Sequence, residues 1–337
     1  MANNNEEKIM PVGGQAVIEG VMMRSPKRIA TAIRRASGVI EVKSQEFQSL
    51  AQRYKILNIP ILRGAITLFE VMIIGIKTLQ WSADKAMEDE EEKETTEDKI
   101  EKKSNKKAGM STLNAILTIT IALAVGIGAF MALPLLLATY VFDIETQAFA
   151  FNFVAGIIRI LLFLAYVWGI SFMKDVNRLF QYHGAEHKTV FAFEEKVMLS
   201  PANVQKFTTF HPRCGTSFLV IVLLISIFFF SFVDAIVMIW LGKINLMIRL
   251  ATHLPLIPVV AGLSYEALKA SAKKVDNAFV QALIFPGLAL QRITTQDPDD
   301  EQLEVAIVAL QAALGEDLKD ELAAPPEVKS EIIPVSA

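Results

Sequence analysis

Four apolar runs constrain this chain more than any other feature, because each is long enough to cross a bilayer, which takes roughly 20 residues as helix. They cover about 113–142, 150–173, 216–240 and 246–265. Hydrocarbon offers no partner to backbone N–H and C=O groups, so such runs must be helical. Composition agrees: 53% of the 337 residues are hydrophobic, more than a soluble domain carries. Arg159, Asp234, Arg249 and His253 fall inside these runs. An ionisable group in a span is costly to hold, which makes Asp234 and His253 candidates for function. Pro255 and Pro258 mark a kink in the last run.

The loops set an orientation. Segment 143–149 has no Lys or Arg and 241–248 has only Lys243, whereas 174–215 carries Lys174, Arg178, Lys188, Lys196, Lys206 and Arg213. Lys99 to Lys107 also flank the first run. The positive-inside rule then places 174–215 and both termini in the cytoplasm of a cell-membrane protein. That compartment keeps a lone thiol reduced, which suits a chain with one cysteine and hence no internal disulfide. A net charge of −3, with positive charges spread among negative ones, gives no basic patch to suggest a nucleic-acid binder, and no nucleic-acid partner is expected.

Outside the runs, residues 1–10 are polar and acidic, unlike a cleavable signal peptide. Residues 11–56 read as a small β-rich unit with a hairpin turn at Ala36-Ser37-Gly38. Gly13-Gly14 either makes a tight turn or lets the backbone approach a ligand closely, and in that second case Glu19 and Arg24 join the site. In 57–81 the charges Arg63, Glu70 and Lys77 recur every seven residues, which fits an amphipathic, interfacial helix better than a span. Mixed charge over 82–112 predicts a disordered linker. Segment 266–322 should hold two helices: one over 266–284, stopped by Pro286-Gly287, and one after Asp297-Pro298-Asp299-Asp300, reaching about Leu314. Residues 323–337 read as a disordered tail. The expected fold is mainly α: a four-span membrane domain (113–265) with a cytoplasmic α+β portion.

The chemistry concentrates between His183 and Cys214. Three of the four histidines and the only cysteine lie there. His183 and His187 in His183-Gly184-Ala185-Glu186-His187 are one helical turn apart and can reach one ion. The order is H-x-x-E-H, with Glu186 placed to act on a zinc-held water. A third ligand would come from His211, Cys214 or a carboxylate such as Glu194, Glu195 or Glu266. If His183, His187, His211 and Cys214 all bind, the site is closed and structural; three ligands leave it open for catalysis. In a second reading Cys214 is a nucleophile activated by His211 or His187. In a third the histidines only satisfy polar contacts where a loop docks.

Gly13 to Arg24, Tyr182 to Lys188 and His211 to Phe218, with Ala261 to Glu266 and Pro286 to Gln291, together resemble the YqhQ-like family of bacterial membrane proteins over roughly 11–298. The resemblance implies a membrane placement and a metal-dependent enzyme without naming its reaction. It also brings Glu19 and Glu266 into the motif set. The expected activity is a zinc-dependent hydrolase at the cytoplasmic face; the alternative is a non-enzymatic membrane protein with a structural metal site.

Overall fold

The computed structural model describes residues 10–97, 112–141, 147–212, 214–242, 244–271 and 277–315. The expected disordered ends, and 98–111 of the expected linker, lie outside them almost entirely.

The N-terminal unit is a four-stranded antiparallel meander, β1 (Gly13–Val17), β2 (Gly20–Arg24), β3 (Arg28–Arg34) and β4 (Ile40–Glu46). Its register pairs Gln15 with Met22, Met22 with Thr31 and Thr31 with Lys43. Gly38, at φ +84°, closes the β3–β4 turn at the expected position. Side chains alternate between two covered faces. Val21, Met23, Ala30, Ala32, Ile40 and Val42 point into one core, and Val17, Met22, Ile29 and Ile33 into another. Double burial is why β2 and β3 read as unbroken apolar runs.

A short helix α1 (Leu50–Arg53) and a 3-10 turn (Lys55–Leu57) lead into α2 (Leu62–Glu97), which covers the second face with Ile74 and Trp81. Gln15 Nε2 donates to Thr78 Oγ1 (3.1 Å), and the Ile18 N–H donates to Ser82 Oγ (3.2 Å). The expected linker is thus helical as far as Glu97. Its Glu and Lys residues are good helix formers, and Arg35 reaches across from the β3–β4 turn to Asp89 (2.8 Å) and Glu88 (3.3 Å).

Helix α3 (Thr112–Ile127) passes through a π turn (Gly128–Ala132) into α4 (Leu133–Val141), followed by α5 (Ala148–Ile170). Arg159 on α5 donates from Nε to the Phe130 carbonyl in the π turn at 2.8 Å, so the irregular turn gives a charged span residue its acceptor. Then come α6 (Lys174–Glu194), α7 (Pro201–Val204), α8 (Gly215–Leu241), α9 (Leu246–Ser271), α10 (Ala278–Thr294) and α11 (Asp300–Leu314). Segments Thr120–Tyr140, Ala148–Ile170, Gly215–Leu241 and Leu246–Ser271 are long and apolar enough to cross a membrane. Gly156 lets α5 meet α8, since a Cβ there would lie 2.3 Å from Ile227.

Helix α11, capped by Asp299 in a reciprocal box with Gln302, is buried along almost its whole length between the sheet's first face and α6. Pro286-Gly287 does not end a helix as expected. Helix α9 runs on to Ser271, and α10 carries Pro286 in its interior. The reason is tertiary: α10 crosses the start of α8 so closely that a Cβ on Gly287 would lie 2.6 Å from Ser217 Cα.

Candidate metal centre

Helix α6 presents His183 and His187 one turn apart, their ring centroids 4.4 Å from each other. Cys214 comes from the N-cap of α8, where Sγ accepts from the Thr216 N–H (3.5 Å) and hydroxyl (3.3 Å). One ligand atom each from His183, His187 and Cys214 lies within 4.8 Å of the others, and His183 Nε2 is 3.2 Å from Cys214 Sγ. His187 and Cys214 are buried; His183 is only partly so and forms the accessible side.

The tautomers follow from the neighbours. His183 Nδ1 lies 2.8 Å from the Thr294 carbonyl, and His187 Nδ1 contacts the Thr209 carbonyl. A carbonyl only accepts, so each Nδ1 carries the proton and each Nε2 offers a lone pair. This is how metal-binding histidines are commonly held. Gly184 makes the Thr294 contact possible. The irregular segment after α10 lies directly on α6, with the Gln296 N–H donating to the Phe180 carbonyl at 3.0 Å, and a Cβ on Gly184 would be 2.0 Å from Gln296 O.

Glu186 is buried, with Oε2 3.4 Å from His187 Nε2. Gly14 of β1 packs on it: a Cβ at Gly14 would come 3.0 Å from Glu186 Cγ, whereas one at Gly13 would meet nothing within 4 Å. Gly14 thus permits a close backbone approach, to the Met22 carbonyl oxygen of β2 (2.3 Å from such a Cβ) as well as to Glu186. His211 stands beside the group and not in it. Its ring is 5.6 Å from that of His187, and Nε2 lies 3.7 Å from a Glu194 oxygen.

The remaining expected residues lie elsewhere. Glu19, at φ +53° in the β1–β2 turn, receives both arms of Arg178 and the Tyr182 hydroxyl (3.3 Å), so it anchors the sheet to α6 one turn before His183. Burial, followed by the Glu19 carboxylate, pushes the Tyr182 phenol up. Arg24 sits over the Phe47 ring at 4.3 Å, and burial pushes its guanidinium below its ordinary value against the pull of Glu70. Glu266 takes a two-pronged bond from Arg63 (2.6 and 2.5 Å), tying α9 to α2. Glu19 and Glu266 position helices and Arg24 rests on Phe47; none of the three enters the His–His–Cys group.

Gln291 was not singled out by spacing or composition. Fully buried on α10, it accepts from the His211 N–H and donates to the His211 carbonyl, both at 2.8 Å. The amide thereby holds the turn in which the Cys214 N–H meets the same carbonyl (3.3 Å). The available signal was an amide side chain in an otherwise apolar stretch.

Fold and site together define a multi-pass membrane protein whose extramembrane sheet-and-helix unit packs a His–His–Cys group against the mouth of a span. The chain matches, over residues 59–316, the family described as "Protein of unknown function (DUF1385)", and it belongs to that family. It is 32% identical over 308 residues to "Uncharacterized protein YqhQ" of Bacillus subtilis (strain 168), covering 90% of this chain and 92% of the relative. No solved structure matches.

Proposed function

We propose that this protein is a zinc-dependent hydrolase acting at the cytoplasmic face of the cell membrane. The supporting observation is the pair of Nδ1–H donations to the Thr294 and Thr209 carbonyls, which leave both Nε2 atoms free in a group where one ligand atom each from His183, His187 and Cys214 lies within 4.8 Å of the others. Two imidazoles and a thiolate suit zinc, and three protein ligands describe an open site better than a closed one. When bound, zinc supplies Lewis acidity toward a carbonyl and lowers the pKa of water. Glu186, beside His187 Nε2, accepts the proton of the attacking water at Oε2 and returns it to the leaving group. His183 and His187 keep their Nδ1 hydrogens on the Thr294 and Thr209 carbonyls, which leaves each Nε2 as the position that would hold the metal.

A cysteine nucleophile is the second reading. The 3.2 Å approach of His183 Nε2 to Cys214 Sγ favours it, with His183 as base in place of the expected His211 or His187. Alkylation of the only cysteine separates the two readings. A metal-held thiolate is masked, so chelation in mild detergent should raise the labelling rate at least about tenfold. Fast labelling before chelation, slowed by His183→Ala, would favour the nucleophile. Slow labelling indifferent to both treatments would remove Cys214 from the site.

The orientation rests on the lysine and arginine asymmetry between loops. Reporter fusions after residues 145 and 245 should read outside, and one near 200 inside. An outside signal at 200 would place the His–His–Cys group on the other face.

A further inference from the structure

A second polar cluster lies inside the membrane bundle. Asp234 of α8 is fully buried, and Arg249 and His253 of α9 are each 1% exposed. His253 Nε2 is 2.9 Å from Asp234 Oδ1. Arg249 Nε (3.2 Å) and Asn152 Nδ2 of α5 (2.7 Å) share Oδ2. The His253 ring stacks on Phe230 at 4.1 Å, and the guanidinium lies 3.5 Å over the Phe151 ring. Asp234 is about 28 Å along α8 from Gly215, so this cluster occupies the opposite end of the span from Cys214.

Three enclosed nitrogens of the cluster make no hydrogen bond among the described residues: Arg249 Nε, which meets Asp234 Oδ2 only as an ion pair, and Arg249 Nη2 and His253 Nδ1, which face no acceptor or donor at all. Groups buried this deeply are normally paired, and a purely structural ion pair would close such positions. Arg249 Nη2 can only donate, so whatever completes it is an acceptor. We infer that the cluster is a binding site for a small monovalent anion, taken up together with a proton.

The proton follows from charge balance. Asp234 and Arg249 cancel, so an anion alone would leave one net negative charge in a low-dielectric interior. The one position able to offset it is His253 Nδ1, because Nε2 already donates its hydrogen to Asp234. The anion therefore accepts from Arg249 Nη2 while one proton from solvent adds to His253 Nδ1, and the cluster stays neutral overall. Among the described residues, the charged groups facing His253 are Asp234 from α8 and Arg249 from α9. Helix α5 offers Asn152 and Phe151, and α4 brings the apolar Leu135 and Ala138 against Phe151. Enclosure of both nitrogens restricts the ligand to a few atoms.

The test uses the full chain in nanodiscs of neutral lipid and reads the thermal unfolding midpoint at pH 6 and pH 8. Sodium formate or sodium chloride replaces sodium gluconate at fixed ionic strength. The expected result is a rise of a few degrees with formate or chloride, larger at pH 6. Arg249→Lys keeps the charge but not the fork of donors and should lose the rise, while His253→Gln should lose its pH dependence. His183→Ala should keep both, which separates this site from the proposed metal centre. An unchanged wild-type midpoint, or an equal rise in Arg249→Lys, overturns the proposal. If Arg249→Lys does not fold, an undiminished pH-dependent rise in His253→Gln overturns it instead. Stabilisation by phosphatidylglycerol discs without any response to free anions would likewise overturn it, because a lipid headgroup is not a free ligand of a few atoms.

Discussion

Replacing either His183 or His187 with alanine should strip zinc from the purified protein, while Glu186→Gln should retain it. Each imidazole contributes one of three ligand atoms held within 4.8 Å, so removing one leaves two ligands that no longer define a site. Changing a residue that only supports a ligand typically costs about 10–100-fold in metal affinity, and loss of a ligand should exceed that. The glutamate-to-glutamine change keeps the shape beside His187 Nε2 and removes only the proton acceptor. His211→Ala should reduce zinc far less, because that ring lies outside the group. Metal content by elemental analysis after gel filtration decides the matter. Equal loss in the Glu186 and histidine variants would make Glu186 a ligand and end its assignment as base. Full loss in His211→Ala would restore the closed, four-ligand site.

The second large effect is expected at Gly184, where two opposing magnitudes can be compared. In an exposed helix, glycine to alanine stabilises by about 1 kcal/mol. Here the new Cβ would sit 2.0 Å from the Gln296 carbonyl oxygen, which is backbone and cannot rotate away. Forcing it out costs about 3 kcal/mol, at the upper end of ordinary overpacking, so Gly184→Ala should be net destabilising by about 2 kcal/mol. Displacing this segment would also shift Thr294, the last residue of α10, so His183 would lose the acceptor on Nδ1 and zinc affinity should fall with stability. Gly169→Ala is the control, since a Cβ there meets nothing within 4 Å and should be neutral or mildly stabilising. Thermal unfolding and zinc content of the two variants provide the comparison. A Gly184→Ala protein as stable as the parent would show that residues 294–296 do not rest on α6.

How much of this was legible in advance depends on the range over which each cause acts. Four crossing helices were readable because hydrocarbon leaves a run of about 20 apolar residues few alternatives. The pairing of His183 with His187 was readable because it needs only the helical repeat. The turn at Gly38 and the capped start of α11 are equally local.

Longer-range facts were hidden. Nothing in the spacing His211-Pro212-Arg213-Cys214 tells which member reaches His183. That is decided by Gln291, which grips the His211 backbone from another helix, and by α8, whose first turn holds Cys214 Sγ. Likewise Arg35 of the sheet pairs with Glu88 and Asp89 of α2, and Gly287 of α10 is pressed against Ser217 of α8, contacts between elements that no local pattern announces. The cluster of Asp234, Arg249, His253 and Asn152 draws on three helices, so the first three appeared in the sequence only as isolated ionisable residues and Asn152 did not stand out at all. The sequence alone determined the helices, turns and caps, whose causes lie within a few residues of one another. Which side chains share a site was decided by the tertiary structure, because those contacts join residues tens to hundreds of positions apart.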